Sequence, residues 1–181
     1  MSNYTLVNVV AGGDLGVEIN LHEAFTYLMH LSPSYEPEVA PGLHFKLPGT
    51  GVTVMIFRTG KYHLTGGESV DQIQASYEEL VKVLNDSMGL TAVGNSPEIR
   101  NLVYSGSIGK EVDLEALSRA LSGSVDYDPS LNPGLKYRKS AFTGVFTLYR
   151  TGSYTYTGSS DYEAAERALR SLNGELIQLL D

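Results

Sequence analysis

The chain has 181 residues, no cysteine and a formal charge of −8. That length supports a sizeable core, and the missing cysteines exclude disulfides, thiolate chemistry and Cys-based metal sites. With no basic-plus-apolar start and no apolar run of bilayer length, the expectation is a soluble, intracellular protein with no membrane partner.

The first strand is predicted over Tyr4–Ala11, which is rich in β-branched and apolar residues. A Gly-containing turn follows, and Asn20, with Glu23 three residues on, marks the start of a helix carrying Leu21, Ala24 and Leu28 on one face. After a Pro-rich approach, strands are predicted near 43–47, 52–57 and 61–65, with Thr59-Gly60 where a tight hairpin needs positive φ. A long amphipathic helix closes this half: Ser69-x-x-Gln72 caps it, and Val70, Ile73, Tyr77, Leu80 and Leu84 form its stripe. Met88–Pro97 is a joint, broken by Gly89, Gly94, Asn95 and Pro97.

The second half repeats the first. A strand at Ile99–Ser105 leads to a helix started by Asp113, with Leu114, Leu117 and Leu121 as its stripe. Strands then follow near 135–139, 143–149 and 153–157, and a closing helix starts from Ser160-x-x-Glu163 with Tyr162, Ala165, Leu169, Leu172 and Leu176 inward. Pro41-Gly42-Leu43 and Arg58-Thr59-Gly60 both return 92 residues later, while Asn8, Gly16 and Leu21 return at 93 as Asn101, Gly109 and Leu114. Two copies, 1–91 and 97–181 with 92–96 as the joint, are expected to form one domain with an internal approximate two-fold axis. Strand–helix–three strands–helix, twice, predicts an α+β fold whose antiparallel sheet has helices on one face only. The uncovered face then meets water or a ligand, and an approximately symmetric ligand, duplex DNA or a second subunit, suits it.

Charge is distributed unevenly over this pattern. Residues 41–67 and 133–157 contain no Asp or Glu, although the chain has 21. The same segments hold Lys46, Arg58, Lys61, Lys136, Arg138, Lys139 and Arg150, seven of the 13 basic residues. Strands are poor in acids in any case, but the depletion in both copies reads as the electrostatic footprint of a polyanion site.

Taken in order, these segments resemble the TATA-box-binding protein family. The resemblance rests on Asn8-Val9-Val10-Ala11, Tyr35-Glu36-Pro37-Glu38, Pro41-Gly42-Leu43, Ile56-Phe57-Arg58-Thr59-Gly60-Lys61 and Leu64-Thr65-Gly66. Asn101-Leu102-Val103, Tyr127-Asp128-Pro129, Pro133-Gly134-Leu135-Lys136-Tyr137-Arg138, Leu148-Tyr149-Arg150-Thr151-Gly152 and Thr157-Gly158 repeat it. The acidic balance and the lack of a long N-terminal extension are closer to archaeal members, so a cytoplasmic, nucleoid-associated protein is expected.

The resemblance implies a saddle: two pseudo-symmetric repeats forming one curved, ten-stranded antiparallel sheet with helices on the convex face. It also implies a general transcription initiation factor that bends A/T-rich promoter DNA from its minor groove, a property of that family rather than of this sequence. Its implied partners are A/T-rich double-stranded DNA, transcription factor B and RNA polymerase, with no cofactor. Carried over by position, Asn8 and Asn101 would donate at the centre of the site, Val10 and Val103 would pack on the groove floor, and Thr65 and Thr157 would line it. Lys46, Lys61 and Arg138, with the Thr59 and Thr151 hydroxyls, would hold phosphates, and Arg58 and Arg150 would add to that clamp. The plain alternatives are strand-end roles for the two Asn and solvated surface positions for each cation.

Three features depart from the family. Its four wedge phenylalanines correspond here to Ala40, Phe57, Asn132 and Tyr149, so half of each wedge is lost and a weaker bend is expected. His63 and Thr155 also replace small apolar residues on the groove-facing strand. The loop expected to dock transcription factor B, Tyr127-Asp128-Pro129-Ser130, has lost one acid that the first copy keeps in Glu36 and Glu38.

An alternative reading is a paralogue with weak or no DNA bending that works through protein contacts, by sequestering a factor or as a homodimer through the concave sheet. It is motivated by the lost wedges and by Tyr137, Tyr149, Tyr154 and Tyr156, if these are exposed. An enzyme is not expected, since no nucleophile–base pair converges and His22, His30, His44 and His63 lack metal-site spacing.

Overall fold

In Thr53-Val54-Met55-Ile56-Phe57 every second residue is buried, and Val145–Tyr149 repeats the alternation. Period-two burial makes a strand with one face packed and one face open, and it recurs throughout the chain. Residues 4–91 and 94–180 are described by the structure, a computed structural model. They divide into a unit of Asn8–Arg100 and a unit of Asn101 onward together with Tyr4–Val7.

The first unit contains most of β1 (Tyr4–Asp14), then α1 (Leu21–Tyr27), β2 (Gly42–Lys46), β3 (Thr53–Phe57), β4 (Lys61–Gly67) and α2 (Val70–Met88). Its strands lie antiparallel in the order β2-β3-β4-β1. The second unit contains most of β5 (Glu98–Ser107), then α3 (Leu114–Ala120), β6 (Ser124–Asp126), β7 (Gly134–Arg138), β8 (Val145–Tyr149), β9 (Ser153–Ser159) and α4 (Tyr162–Leu180). Its order is β5-β9-β8-β7-β6, again antiparallel. The predicted α+β plan is therefore present in both copies. Strand β6 was not expected, and its first-copy counterpart is a single bridge between Ser34 and His44. Nine strands form among the described residues, not the ten that the resemblance implies.

Caps and turns explain the boundaries. Asn20 accepts from the His22 and Glu23 amides, and Asp113 accepts from those of Glu115 and Ala116. Each thereby satisfies two of the orphan donors at a helix start. Ser69 caps α2 through the Gln72 amide. The α4 start is a correction: Asp161, not Ser160, accepts from the Ala164 amide at 2.9 Å. Gly60 and Gly152 close the β3–β4 and β8–β9 hairpins at φ 85° and 81°. A Cβ at either would run into a backbone carbonyl, of Val17 or Lys110 respectively.

The closed faces build the cores. In the first unit Val9, Leu43, Phe45, Val54, Ile56, Tyr62 and Leu64 are buried with Leu21, Ala24, Ile73, Leu80 and Leu84 of the helices. In the second, Leu102, Tyr104, Leu135, Tyr137, Phe146, Leu148, Tyr154 and Tyr156 are buried with Leu114, Leu117, Ala165, Ala168, Leu169, Leu172 and Leu176. Small Ala165 and Ala168 on α4 are fully buried in the same core as these large rings. Tyr154 donates to Asn173 at 3.0 Å, and Tyr137 donates to Glu175. Tyr137, Tyr154 and Tyr156, expected as exposed interface residues, are at most 1% exposed. They are the core of the second copy, and only Tyr149 of that set reaches the open face. Both closing helices begin with an exposed residue of the predicted stripe, Val70 at 42% and Tyr162 at 51%.

Candidate nucleic-acid interface

The open face of the first unit is built from alternate residues of four strands. Asn8 and Val10 come from β1, His44 and Lys46 from β2, Met55 and Phe57 from β3, and Lys61, His63 and Thr65 from β4; all are half-buried or exposed. The second unit presents Asn101 and Val103 from β5, Lys136 and Arg138 from β7, Thr147 and Tyr149 from β8, and Ser153, Thr155 and Thr157 from β9. None of these residues is acidic.

Each face has a bulge at the same place. Between Val9 and Ala11 the register slips against Gly67 and Leu64, and between Leu102 and Tyr104 it slips against Ser159 and Tyr156. Gly66 and Gly158 absorb the extra residue at φ 93° and 96°. Their amides donate to the Oδ1 of Asn8 at 2.9 Å and of Asn101 at 2.8 Å. Because a backbone N–H only donates, this contact fixes which end of each carboxamide is oxygen. The Nδ2 groups are left as donors on the open face. In the second unit Nδ2 also reaches Thr157 Oγ1 at 3.1 Å.

The other expected residues divide into two groups. Lys46 and Arg138 are exposed at the ends of β2 and β7, opposite Thr53 and Ser124, and Lys61 is exposed opposite Asp14. Thr65 is half-buried opposite Thr53. Thr59 and Thr151 are exposed in the hairpin turns, and the Thr151 hydroxyl lies 2.8 Å from that of Ser153. Arg58 turns toward an acid instead, and Arg150 shares a hollow with three. Arg58 pairs with Glu18 at 3.7 Å, and Arg150 lines a hollow with Glu111, Asp113, Glu115 and Tyr127. The Arg58–Glu18 partners are 72% and 78% exposed, so their pairing is worth no more than about 1 kcal/mol.

At the wedge positions, Phe57 is half-buried opposite Gly42, and His63 packs edge-on against it at 5.4 Å. An open hollow of about 440 Å³ is lined by Pro41, Phe57, Arg58, Thr59, Lys61 and His63. Asn132 is folded back, its Oδ1 accepting from the Gly134 amide at 2.8 Å, so it forms a turn and not a tip. Tyr149 stands opposite Gly134.

The loops before β2 and β7 differ in how their acids are used. Asp128 accepts from the Ser130 hydroxyl at 2.6 Å and the Ser130 amide at 2.9 Å, and these contacts hold its carboxyl below the usual value. Tyr127 lines the Arg150 hollow, while Asp128 and Pro129 are exposed and lead to Leu131 at 84% exposure. The first copy places Val39 at 80% exposure beside Glu36 and Glu38. Sequence reasoning missed Glu18 as the partner of Arg58 and His44 as a member of the open face; the hairpin register around Met55 is the signal for the latter.

The profile described as "Transcription factor TFIID (or TATA-binding protein, TBP)" matches residues 3–87 and 96–179. The chain belongs to the TATA-box-binding protein family. It is 32% identical to a TATA-box-binding protein of Pyrobaculum calidifontis over 98% of this chain and 87% of that one. It is 34% identical to TATA-box-binding protein B of Halobacterium salinarum over 95% of this chain and 92% of that one. The solved structure of Methanococcus jannaschii TBP is 30% identical, with a TM-score of 0.81, 97% of this chain and 99% of that chain being covered. The TATA-box-binding protein fold expected from the motifs is therefore the fold of this chain, in the transcription-initiation family the sequence pointed to. That family consists of DNA-binding transcription factors and is not an enzyme family. No helix among the described residues is long and apolar enough to cross a membrane.

Proposed function

We propose that this TATA-box-binding protein acts at A/T-rich promoters, its two repeats forming one domain that enters the minor groove with the open sheet faces. The observation that carries the reading is the matched pair of bulges, each locking an Asn carboxamide with its N–H₂ outward on an acid-free face. A·T pairs offer only acceptors in the minor groove, whereas G·C adds a donor. A face that donates from Asn8 and Asn101 and is otherwise apolar or hydroxylic at Val10, Val103, Thr65 and Thr157 suits the former. Lys46, Lys61 and Arg138, with Thr59 and Thr151, take phosphates. Phe57 and Tyr149 are the remaining wedges. Arg58 and Arg150 join the phosphate contacts only after leaving their acidic neighbours.

The Tyr127-Asp128-Pro129 loop, ending in exposed Leu131, is the surface for transcription factor B and through it RNA polymerase. The role is non-catalytic and belongs to the nucleoid. A protein-sequestering paralogue is not favoured, because three of the four tyrosines that motivated it are core residues. With Ala40 small and Asn132 folded back onto its own turn, less unstacking energy is recovered at each kink, and the bend is shallower than four Phe wedges would give. Energy transfer between dyes at the ends of a TATA duplex and of a G·C-rich duplex tests both points. Binding with end-to-end shortening on the A·T duplex alone is expected; no binding on either, or equal binding on both, overturns the reading.

A further inference from the structure

We infer that His63 is a base-reading residue whose protonation tightens and sharpens the recognition of A·T pairs by the first repeat. The inference rests on the minor-groove reading above. His63 is exposed in the middle of the open face of β4, opposite Met55 of β3 and Gly12 of β1. Its ring is held edge-on to the wedge residue Phe57 at 5.4 Å, and the two rings line the same hollow with Pro41, Arg58 and Lys61. A second hollow, of about 340 Å³, borders it on the other side with Gly12, Gly13 and Arg100. The corresponding row of the second repeat, Lys136, Thr147 and Thr155, carries a fixed cation and hydroxyls. Only the first repeat therefore presents imidazole rings on this face, His63 and, across Met55, His44.

Histidine changes charge between pH 5 and 8. The neutral ring has one donor and one acceptor, and the protonated ring has two donors. A·T pairs show only acceptors in the minor groove, while the guanine N2 amine is a donor. The neutral ring can therefore also accept from the guanine amine, whereas the protonated ring has only donors to offer, which suits the acceptor-only A·T edge better than a G·C edge carrying that amine. The charged groups around it come from every neighbouring element. Lys61 lies on β4 itself, Arg58 in the turn and Lys46 at the end of β2. Asp14 closes β1, and Glu98 and Arg100 border the second hollow. The carboxylates are engaged, Asp14 accepting from the Gly16 amide at 2.8 Å and Glu98 pairing with Arg100 at 3.0 Å. An incoming acceptor or phosphate is then the natural partner for the charged ring.

The test is fluorescence anisotropy at fixed ionic strength, at pH 5.5 and 7.5, on an A·T-rich duplex and on one with two G·C steps in the first-repeat half. The variants are His63→Val, His63→Gln, His44→Gln and, as a control away from this face, His30→Gln. Charge-assisted hydrogen bonds are roughly twice as strong as neutral ones, so wild-type affinity for the A·T duplex should rise about fivefold on acidification. Discrimination against the G·C steps should rise with it. Both His63 variants should bind at pH 7.5 and lose the rise, whereas His44→Gln and His30→Gln keep it. Binding that is flat with pH in the wild type, or a rise that survives in both His63 variants, overturns the inference while leaving the minor-groove reading intact. Failure to bind at either pH overturns the minor-groove reading itself.

Discussion

Asn101 serves the backbone with its oxygen and the open face with its nitrogen, and Asn8 does the same in the first unit. Aspartate is nearly isosteric and keeps the acceptor, so Asn8→Asp and Asn101→Asp preserve both bulges and should change stability by less than about 0.5 kcal/mol. Each replaces a donor with a carboxylate facing acceptors and phosphates. A lost hydrogen bond with an unpaired group left behind costs about 1–3 kcal/mol, so A·T duplex affinity should fall about tenfold or more per substitution. Paired denaturation and anisotropy measurements separate the two roles. An Asp variant that binds as tightly as the wild type would show that the carboxamides serve only the bulges. Alanine is the wrong probe, because it removes the acceptor as well and destabilises Gly66 or Gly158.

At the scale of elements, the copies are held together by different means at matched positions. Where the first unit buries Phe45, Leu47 and Val83, the second has Tyr137, Lys139 and Glu175. Lys139 lies 3.0 Å from Glu175, which also accepts from Tyr137 and from the Ser122 hydroxyl. Burial alone would push the Glu175 carboxyl up, but the bonds from Lys139, Ser122 and Tyr137 outweigh it and hold the carboxyl below its ordinary 4.5. A lowered folded-state value stabilises above the unfolded value and is lost as pH falls through the folded one. Glu175→Gln should therefore cost about 1 kcal/mol at pH 7, with the deficit shrinking below about pH 4.5. Replacing Tyr137, Lys139 and Glu175 together by Phe, Leu and Val should be neutral or stabilising, as for other partly buried ion pairs exchanged for apolar groups. Urea titrations at pH 7 and pH 3.5 measure both, and a deficit for Glu175→Gln that grows on acidification would refute the assignment.

This cluster also marks what the sequence made legible. Strand alternation, capping residues and Thr-Gly hairpins announce each element, because they act locally. The repeat carries Asn8 and Asn101, Phe57 and Tyr149, Lys46 and Arg138, and Arg58 and Arg150 to matched places. What escaped depends on contacts distant in sequence: the burial of Tyr137, Tyr154 and Tyr156, the Arg58–Glu18 pair, and the turn that withdraws Asn132. A strand rich in Tyr reads equally as core or interface until the residues it meets, here Asn173 and Glu175 of α4, are known.

For the whole molecule, the net charge of −8 and the acid-free segments set opposite terms. Each phosphate neutralised by a cation contributes about −0.9 to the slope of log affinity against log salt. Contacts from Lys46, Lys61 and Arg138 alone give a slope of about −2.7, and adding Arg58 and Arg150 gives about −4.5. Because both arginines lie beside acids, the shallower value is expected, with apolar groove contact supplying most of the affinity. The acids are the means of deciding. Glu18→Gln removes the partner seen 3.7 Å from Arg58 and leaves the open face unchanged. If Arg58 is then recruited to a phosphate, the slope steepens by about 0.9. An unchanged slope with unchanged affinity would mean that Arg58 never reaches DNA. A wild-type slope already near −4.5 would mean that both arginines abandon their acids on binding, and that this acidic protein holds DNA chiefly by its charges.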